Sequence, residues 1–358
     1  MYKSVIKMKS KLLFFFFIPF ITLAQIPAYY SPINFNLTGN NLRLQLAQLI
    51  TETHTTNLPY TSSDLPDTWD ALKLSDLDPT NANNVLLIYG WNDTDAIVDN
   101  DRTRSKDLSC HTSSCTGLWV REHVYPRSLG NPNLGFELAG SDAHNLRSID
   151  NTRNNTRSNR IFEQGTGTAS YITAGGNWYP GDEWRGDVAR MMMYMYVRYG
   201  NQCLATVVGA GSTSYSTLGD MPNVFLDWNV IDPVSPYEIT RNTVLQNMQG
   251  NRNPFIDNPY LATLIWNGPA AADTWNLLSI NTTSLESIYI YPTVTYDYVT
   301  ISNSQSKTFE YIVYNYIGQS IYSGTTTGKI DISNNASGMY IIKLDSEGQS
   351  KSFKVFRK

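Results

Sequence analysis

The spacing of apolar and polar residues sets out a succession of elements with different periods. Residues 25–60 read as an entry segment and one helix, with Leu42, Leu44, Leu46, Ala47, Leu49 and Ile50 forming a broad apolar face behind Gly39. Val85-Leu86-Leu87-Ile88-Tyr89 is a short apolar run closed by Gly90, the length of a buried strand rather than a helix. Leu118 to Tyr125 predicts a second strand, stopped by Pro126 because proline cannot donate to a sheet ladder. The polar stretch Asp150 to Arg160 predicts a short helix. From Asp182 to Tyr199, Val188, Ala189, Met191, Met192, Met195 and Val197 cover more than one helical face, so a largely buried helix is expected. Asp182 and Glu183 place negative charge at its start, Arg198 places positive charge near its end, and Gly200 suits a left-handed cap. The methionines read as core packing, since a soft thioether does not suit a hard-cation site.

After about residue 285 the period shortens to two. Ile288 to Pro292, Tyr298 to Ser302, Tyr311 to Tyr314, Ile330 to Ile332 and Tyr340 to Leu344 are short β-type segments separated by turn residues. That spacing predicts a small all-β sandwich at 288–358, joined through a linker at 281–287 that contains Asn281-Thr282-Thr283-Ser284. At the other end, Lys3, Lys7, Lys9 and Lys11 precede the apolar run Leu12 to Leu23, and Thr22-Leu23-Ala24 fits a small-residue cleavage site. Residues 1–24 are therefore expected to be a secretory signal peptide, too short and wrongly flanked for a membrane span. No later stretch reaches the apolar length of a transmembrane helix, so a secreted or surface-attached protein is expected, with its main globular domain at 25–280.

A net charge of −4 argues against a protein that coats nucleic acid by bulk attraction. The local balance differs: between Arg102 and Arg160 lie nine basic and five acidic residues, a surplus of +4. A basic groove on an acidic body suits an enzyme that must release a polyanionic product. The three cysteines permit at most one internal bridge. Cys110 and Cys115 enclose a short Ser/Thr-rich loop, and export would allow their oxidation, which would leave Cys203 buried; three unpaired thiols are the alternative. A zinc site from Cys110, His111 and Cys115 lacks a second Cys/His pair at a suitable distance.

The chemistry concentrates in Arg121-Glu122-His123 and in Asn154 to Asn159 about thirty residues later. Histidine offers a base that is neutral near neutral pH. Glu and Asn offer oxygens to a hard cation such as Mg²⁺, which needs few protein ligands, and arginine forks onto phosphate oxygens. A regular strand would send Glu122 and His123 to opposite faces, an objection relieved only if the strand ends or twists there.

Trp119 to Pro126, Ser141 to Arg147, Asn154 to Asn159 and Arg185 to Arg190, with Tyr89-Gly90 upstream, together resemble the secreted bacterial endonuclease I family of ββα-metal (His-Me finger) nucleases, over roughly residues 29–265. The resemblance implies an α+β fold, a ββα-metal core decorated with helices. It implies His123 as general base, Glu122 and Asn154 as ligands of Mg²⁺ (Mn²⁺ or Ca²⁺ as substitutes), and Arg157 as a phosphate-holding residue on the helical face of Asn154. Asp142, His144 and Asn145 would orient and brace the site, with His144 the alternative base; His54 and His111 read as structural or exposed. Arg185-Gly186-Asp187 spells an adhesion tripeptide, but it matches the family at the opening of the buried helix.

The C-terminal segment resembles the sorting domain of proteins exported by the type IX system, through Tyr291-Pro292, Gly318, Gly338 to Lys343 and the basic end Phe353 to Lys358; Thr293 and Val294 depart from the usual opening. The implied partners are DNA, RNA and the type IX secretion machinery. The implied activity is metal-dependent hydrolysis of phosphodiester bonds with little sequence specificity, leaving 5′-phosphates. A non-catalytic adhesion or nucleic-acid-binding protein on the same scaffold is the alternative, disfavoured because a binder need not keep Glu122, His123, Asn154 and Arg157 together.

Overall fold

A computed structural model describes residues 26–112, 114–277, 288–302, 308–346 and 349–358; the expected signal peptide and linker lie outside the described residues. Helix α1 (Gly39–Thr53) buries Leu42, Leu46, Leu49 and Ile50, whereas Leu44, counted from the sequence on the same face, is 51% exposed. Helix α2 (Thr68–Ser75) opens with a capping box in which Asp67 and Asp70 exchange backbone hydrogen bonds. Strands β1 (Leu77–Asp78), β2 (Asn81–Leu86) and β3 (Thr103–Ser105) form an antiparallel sheet in that order. The apolar run at 85–89 thus ends a strand rather than being one. Leu87 and Ile88 go on to donate to Arg102 O and Ser148 O, and Tyr89 turns away at φ 71°.

Strand β4 (Trp119–His123) pairs antiparallel with β5 (Leu146–Asp150), placing Glu122 opposite Arg147 and His123 opposite Leu146. Helix α3 (Asn151–Arg157) follows β5 without a loop, because the Asp150 side chain accepts from the amides of Thr152 and Arg153 and so caps it. A short ribbon of β6 (Tyr171–Ile172) and β7 (Trp178–Tyr179) leads to helix α4 (Arg185–Tyr199). All residues of α4 from Gly186 to Val197 are buried, as the multi-faced apolar pattern requires. It begins three residues later than expected, since Glu183 is drawn to Arg102 at 2.6 Å and Asp182 to Arg185 at 3.1 Å. Helices α5 (Asn223–Ile231), α6 (Pro236–Gln249), α7 (Pro254–Asp257) and α8 (Tyr260–Trp266) complete the shell around α4, and one apolar cluster spans residues from Tyr30 to Leu277.

A buried ionic layer ties β5 to this shell. Arg147 reaches Asp187 at 2.9 Å and Asp76 at 3.4 Å, Arg241 also pairs with Asp76, and Arg190 pairs with Glu238 at 2.6 Å. Removing one partner of such a buried pair costs about 3–5 kcal/mol, because the other charge is left uncompensated.

The C-terminal region is all-β. Strands β8 (Ile290–Tyr291), β9 (Val294–Thr295), β10 (Tyr298–Ile301), β11 (Phe309–Asn315), β12 (Ser320–Thr326), β13 (Lys329–Asp331), β14 (Gly338–Ser346) and β15 (Gln349–Arg357) make two sheets, ordered β13-β10-β8 and β12-β11-β14-β15-β9. Val299, Ile301 and Ile330 of the first and Phe309, Val313, Ile342 and Val355 of the second share one apolar core, the expected sandwich. The basic end Phe353 to Arg357 proves to be part of β15, in register with β14.

Candidate active site

Three consecutive elements place the chemistry-bearing residues. β4 delivers Glu122 and His123, and α3 delivers Asn154 and Arg157; all four line one polar cavity of about 580 Å³. Glu122 and His123 share the cavity because β4 ends at His123, where the chain turns towards Pro126; Glu122 is 3% exposed and His123 9%.

The His123 ring is fixed by the main chain. Its Nε2 lies 2.8 Å from the carbonyl oxygen of Gly140, so Nε2 carries the proton and Nδ1 keeps the lone pair. Burial drives its pKa down to about 3, against the Gly140 hydrogen bond and reinforced by Arg127, Arg121 and Arg157. The imidazole is therefore neutral throughout the physiological range. Tyr60 stacks on it at 5.5 Å with the rings 21° from parallel.

Glu122 has the opposite problem. Burial pushes its carboxyl up to about 7, countered by the Arg157 charge and then by a hydrogen bond from Tyr89. Both partners take Oε1, Arg157 Nε at 3.3 Å and the Tyr89 hydroxyl at 3.3 Å, and no described residue donates to Oε2. Tyr89 reaches it from a positive φ that side chains other than glycine seldom adopt, backbone strain of the kind found at functional sites. The Asn154 carboxamide makes no hydrogen bond to any described residue, although it lines the cavity.

Arg157 lines the cavity but turns inward rather than lying along the face of Asn154. Its side chain is fully buried, and besides its ion pair with Glu122 it donates to the carbonyls of Val124 (2.7 Å) and Ser158 (3.1 Å). α3 ends at Arg157, so the guanidinium turns under β4 instead of continuing along the face of Asn154. It is a brace for Glu122 and the end of β4. Among the described residues, the half-buried cations on the cavity wall are Arg121, which is held by Tyr60 O, Thr68 and Thr61, and Arg127.

Residues 38–260 match the Endonuclease I family. The chain is 37% identical over 243 residues to an extracellular ribonuclease of Bacillus subtilis (strain 168), covering 64% of this chain and 75% of the relative. It is 38% identical over 219 residues to an extracellular ribonuclease of Bacillus amyloliquefaciens, covering 58% and 70%. The chain belongs to the endonuclease I family. Residues 289–358 match the secretion system C-terminal sorting domain, which makes this family member a secreted or cell-surface nuclease with a type IX sorting tail. No helix among the described residues is long and apolar enough to cross a membrane.

The other family-motif residues build the wall behind the site. Asp142 caps the turn Ala143–Asn145 and accepts from Tyr194 (2.7 Å), Tyr199 (2.8 Å) and Gln249 (2.9 Å). Although burial pushes its carboxyl up, His54, His144 and these donors outweigh that and hold it at about 2. Asn145 bonds both the amide and the carbonyl of Tyr125, pinning the chain just past His123. His144 is buried against Tyr194, bonds Asn251 O at 3.3 Å and does not line the cavity. His54 sits 4.0 Å from Asp142, and His111 is exposed on Ser109 and Trp69. Cys110 and Cys115 form a disulfide; Cys203 is free and buried. Asp187 of the adhesion tripeptide is spent on Arg147, and a side chain at Gly186 would strike the backbone of Asp232. Gly140, Tyr60, Tyr89 and Arg127 were not singled out as site residues from the sequence.

Proposed function

We propose that this nuclease is a metal-dependent endonuclease on a ββα-metal scaffold, formed by β4, β5 and α3, that hydrolyses DNA and RNA with little sequence specificity. The observation that carries it is the Gly140 carbonyl on His123 Nε2, which leaves Nδ1 as the basic nitrogen of a neutral imidazole lining a polar cavity beside an under-compensated carboxylate. RNA enters through the relatives, which are named extracellular ribonucleases.

The groups present fit a hard divalent cation. Among the described residues no cluster of three or more His, Cys, Asp and Glu is assembled, so Mg²⁺ would be held by Glu122 Oε2 and the Asn154 carboxamide oxygen with water completing its shell. Bound there, it would offset the negative charge growing on the phosphate and on the leaving oxygen. His123 Nδ1 takes a proton from the attacking water, whose oxygen forms the new bond to phosphorus as the bond to the 3′ oxygen breaks; that oxygen takes a proton from solvent, leaving a 3′-hydroxyl and a 5′-phosphate. Arg127 is placed to contact phosphate oxygens, and Arg157 keeps Glu122 aimed at the cavity. Residues 25–280 form the nuclease domain in this proposal, with 281–287 as linker and 288–358 as the sorting domain. A plasmid-nicking assay tests it. Nicking with Mg²⁺, none with excess chelator, and 5′-phosphate ends on the products are expected; cleavage unaffected by chelator would overturn the metal assignment, and no cleavage of DNA or RNA with any divalent ion would favour a non-catalytic binder. The chain ending at residue 287 should nick as the full chain does.

A further inference from the structure

Two aromatic rings, Tyr60 and Phe136, lie next to the catalytic histidine and have no part in the hydrolysis as proposed above. Tyr60 stacks on His123, and Phe136 packs against Tyr60 with centroids 4.8 Å apart and planes at 52°. Two guanidiniums flank the pair: Arg121 lies 3.5 Å from the Tyr60 centroid, and Arg127 lies 4.0 Å from that of Phe136. Arg121 is fixed in place by Tyr60 O, Thr68 and Thr61. Phe136 is 51% exposed. It sits on the segment that also supplies Gly140, so its position is tied to the contact that orients His123.

Phe136 is outside the apolar core, and its ring contacts among the described residues are Tyr60 and Arg127. Beside a phosphodiester-cleaving centre, the group that fits a half-exposed aromatic ring with a guanidinium over one face is a nucleobase, which stacks on aromatics regardless of its identity. Resting on the function proposed above, we propose that Phe136, supported by Tyr60, is a stacking shelf for the base next to the scissile phosphate, and that it makes unpaired strands the preferred substrate. A base inside a duplex is already stacked on its neighbours and must be unstacked, at an energetic cost, to reach the shelf; a base in single-stranded RNA or DNA is free to do so.

The test compares kcat/KM for a single-stranded oligonucleotide and for a hairpin duplex of the same sequence, in the full chain and in Phe136→Ala and Phe136→Trp. Loss of one stacking partner weakens single-strand binding roughly five- to 150-fold, so the ratio of single-strand to duplex cleavage should drop at least fivefold in Phe136→Ala and be restored in Phe136→Trp. With cleavage disabled by His123→Ala, an oligonucleotide carrying 2-aminopurine beside the cleavage position should be quenched on binding, and adding Phe136→Ala should abolish the quenching. An equal fall on both substrates, or unchanged quenching, would overturn the shelf and leave Phe136 a loop-packing residue. If the unsubstituted chain cut neither substrate with any divalent ion, the nuclease proposal itself would fail, an outcome distinct from loss of the shelf.

Discussion

Glu122 gives the proposed metal site a pH dependence that an ordinary carboxylate would not have. Proton and cation compete for the same oxygen, so the apparent affinity scales with the deprotonated fraction. With its pKa raised to about 7, Glu122 is about one-tenth ionised at about pH 6 and about nine-tenths ionised at about pH 8. Mg²⁺ should therefore bind the chelator-stripped protein about tenfold more weakly at the lower pH, a difference of about 1.4 kcal/mol. A carboxylate at the usual 4.5 would already be ionised at both. His123, held near 3, does not titrate in this window and adds nothing to the change. Calorimetric titration in buffers of different ionisation heat reads both affinity and released protons: close to one proton per cation is expected at about pH 6 and few at about pH 8. Stability gives a second readout with the opposite sign. Because the folded pKa lies above the unfolded value, the metal-free protein loses up to about 3 kcal/mol from this group as pH rises from about 4.5 through 7, and Mg²⁺ restores it. Equal affinity at the two pH values, with no proton released, would refute the assignment of Glu122 as a perturbed ligand.

His123→Ala should bind nucleic acid and metal nearly as the natural chain does, yet cut about 10²- to 10⁴-fold more slowly, whereas His144→Ala should lower the melting temperature and slow cutting less than tenfold; single-turnover rates separate the two. Gly140→Ala introduces a methyl group against the backbone of Leu134 and Gly135, so the carbonyl must shift away from His123 Nε2. Its kcat should fall with little change in metal affinity, and unchanged kcat would remove Gly140 from the orienting role. Arg157→Met strips the counter-charge from Glu122 and leaves the Val124 and Ser158 carbonyls short of a donor. A loss of about 3–5 kcal/mol in urea unfolding is expected, with the acid limb of activity moved to higher pH; a phosphate-binding role alone would raise KM and leave stability intact.

Much of the fold was legible where one period dominates a segment. α4 is apolar on several faces and is buried on several faces, and β10, β11, β13 and β14 alternate as their half-buried sheets require. β5 was missed for a physical reason. Leu146-Arg147-Ser148-Ile149-Asp150 looks like a polar turn, yet every residue in it is buried, because Asp187 and Asp76 receive Arg147 and Arg104 receives Asp150. Those partners come from elements remote in sequence, so no local pattern announces them. β12 escaped notice because it is an edge strand bonded only to β11, and an edge can remain mostly polar and exposed.

The site was legible in its side chains and illegible in its main chain. Glu122, His123 and Asn154 are residue types that chemistry requires, and the structure brings them to one cavity. Which His123 nitrogen is basic, by contrast, is decided by a carbonyl, and a carbonyl is the same on every residue. The visible trace is steric: position 140 tolerates only hydrogen in place of a side chain, because the turn folds back onto Gly135. The inward turn of Arg157 has the same origin. Spacing of three along a helix predicts a shared face only while the helix lasts, and α3 ends at Arg157, where Ser158 takes a positive φ of 56°. Past that point the guanidinium turns inward, where it pairs with buried Glu122 and donates to the carbonyls of His123 and Val124 at the end of β4 and of Ser158 after α3. Two half-buried arginines outside the helix also line the cavity, and since the donors of Arg121 are taken by Tyr60 O, Thr68 and Thr61, Arg127, four residues beyond His123, is the one proposed to face phosphate.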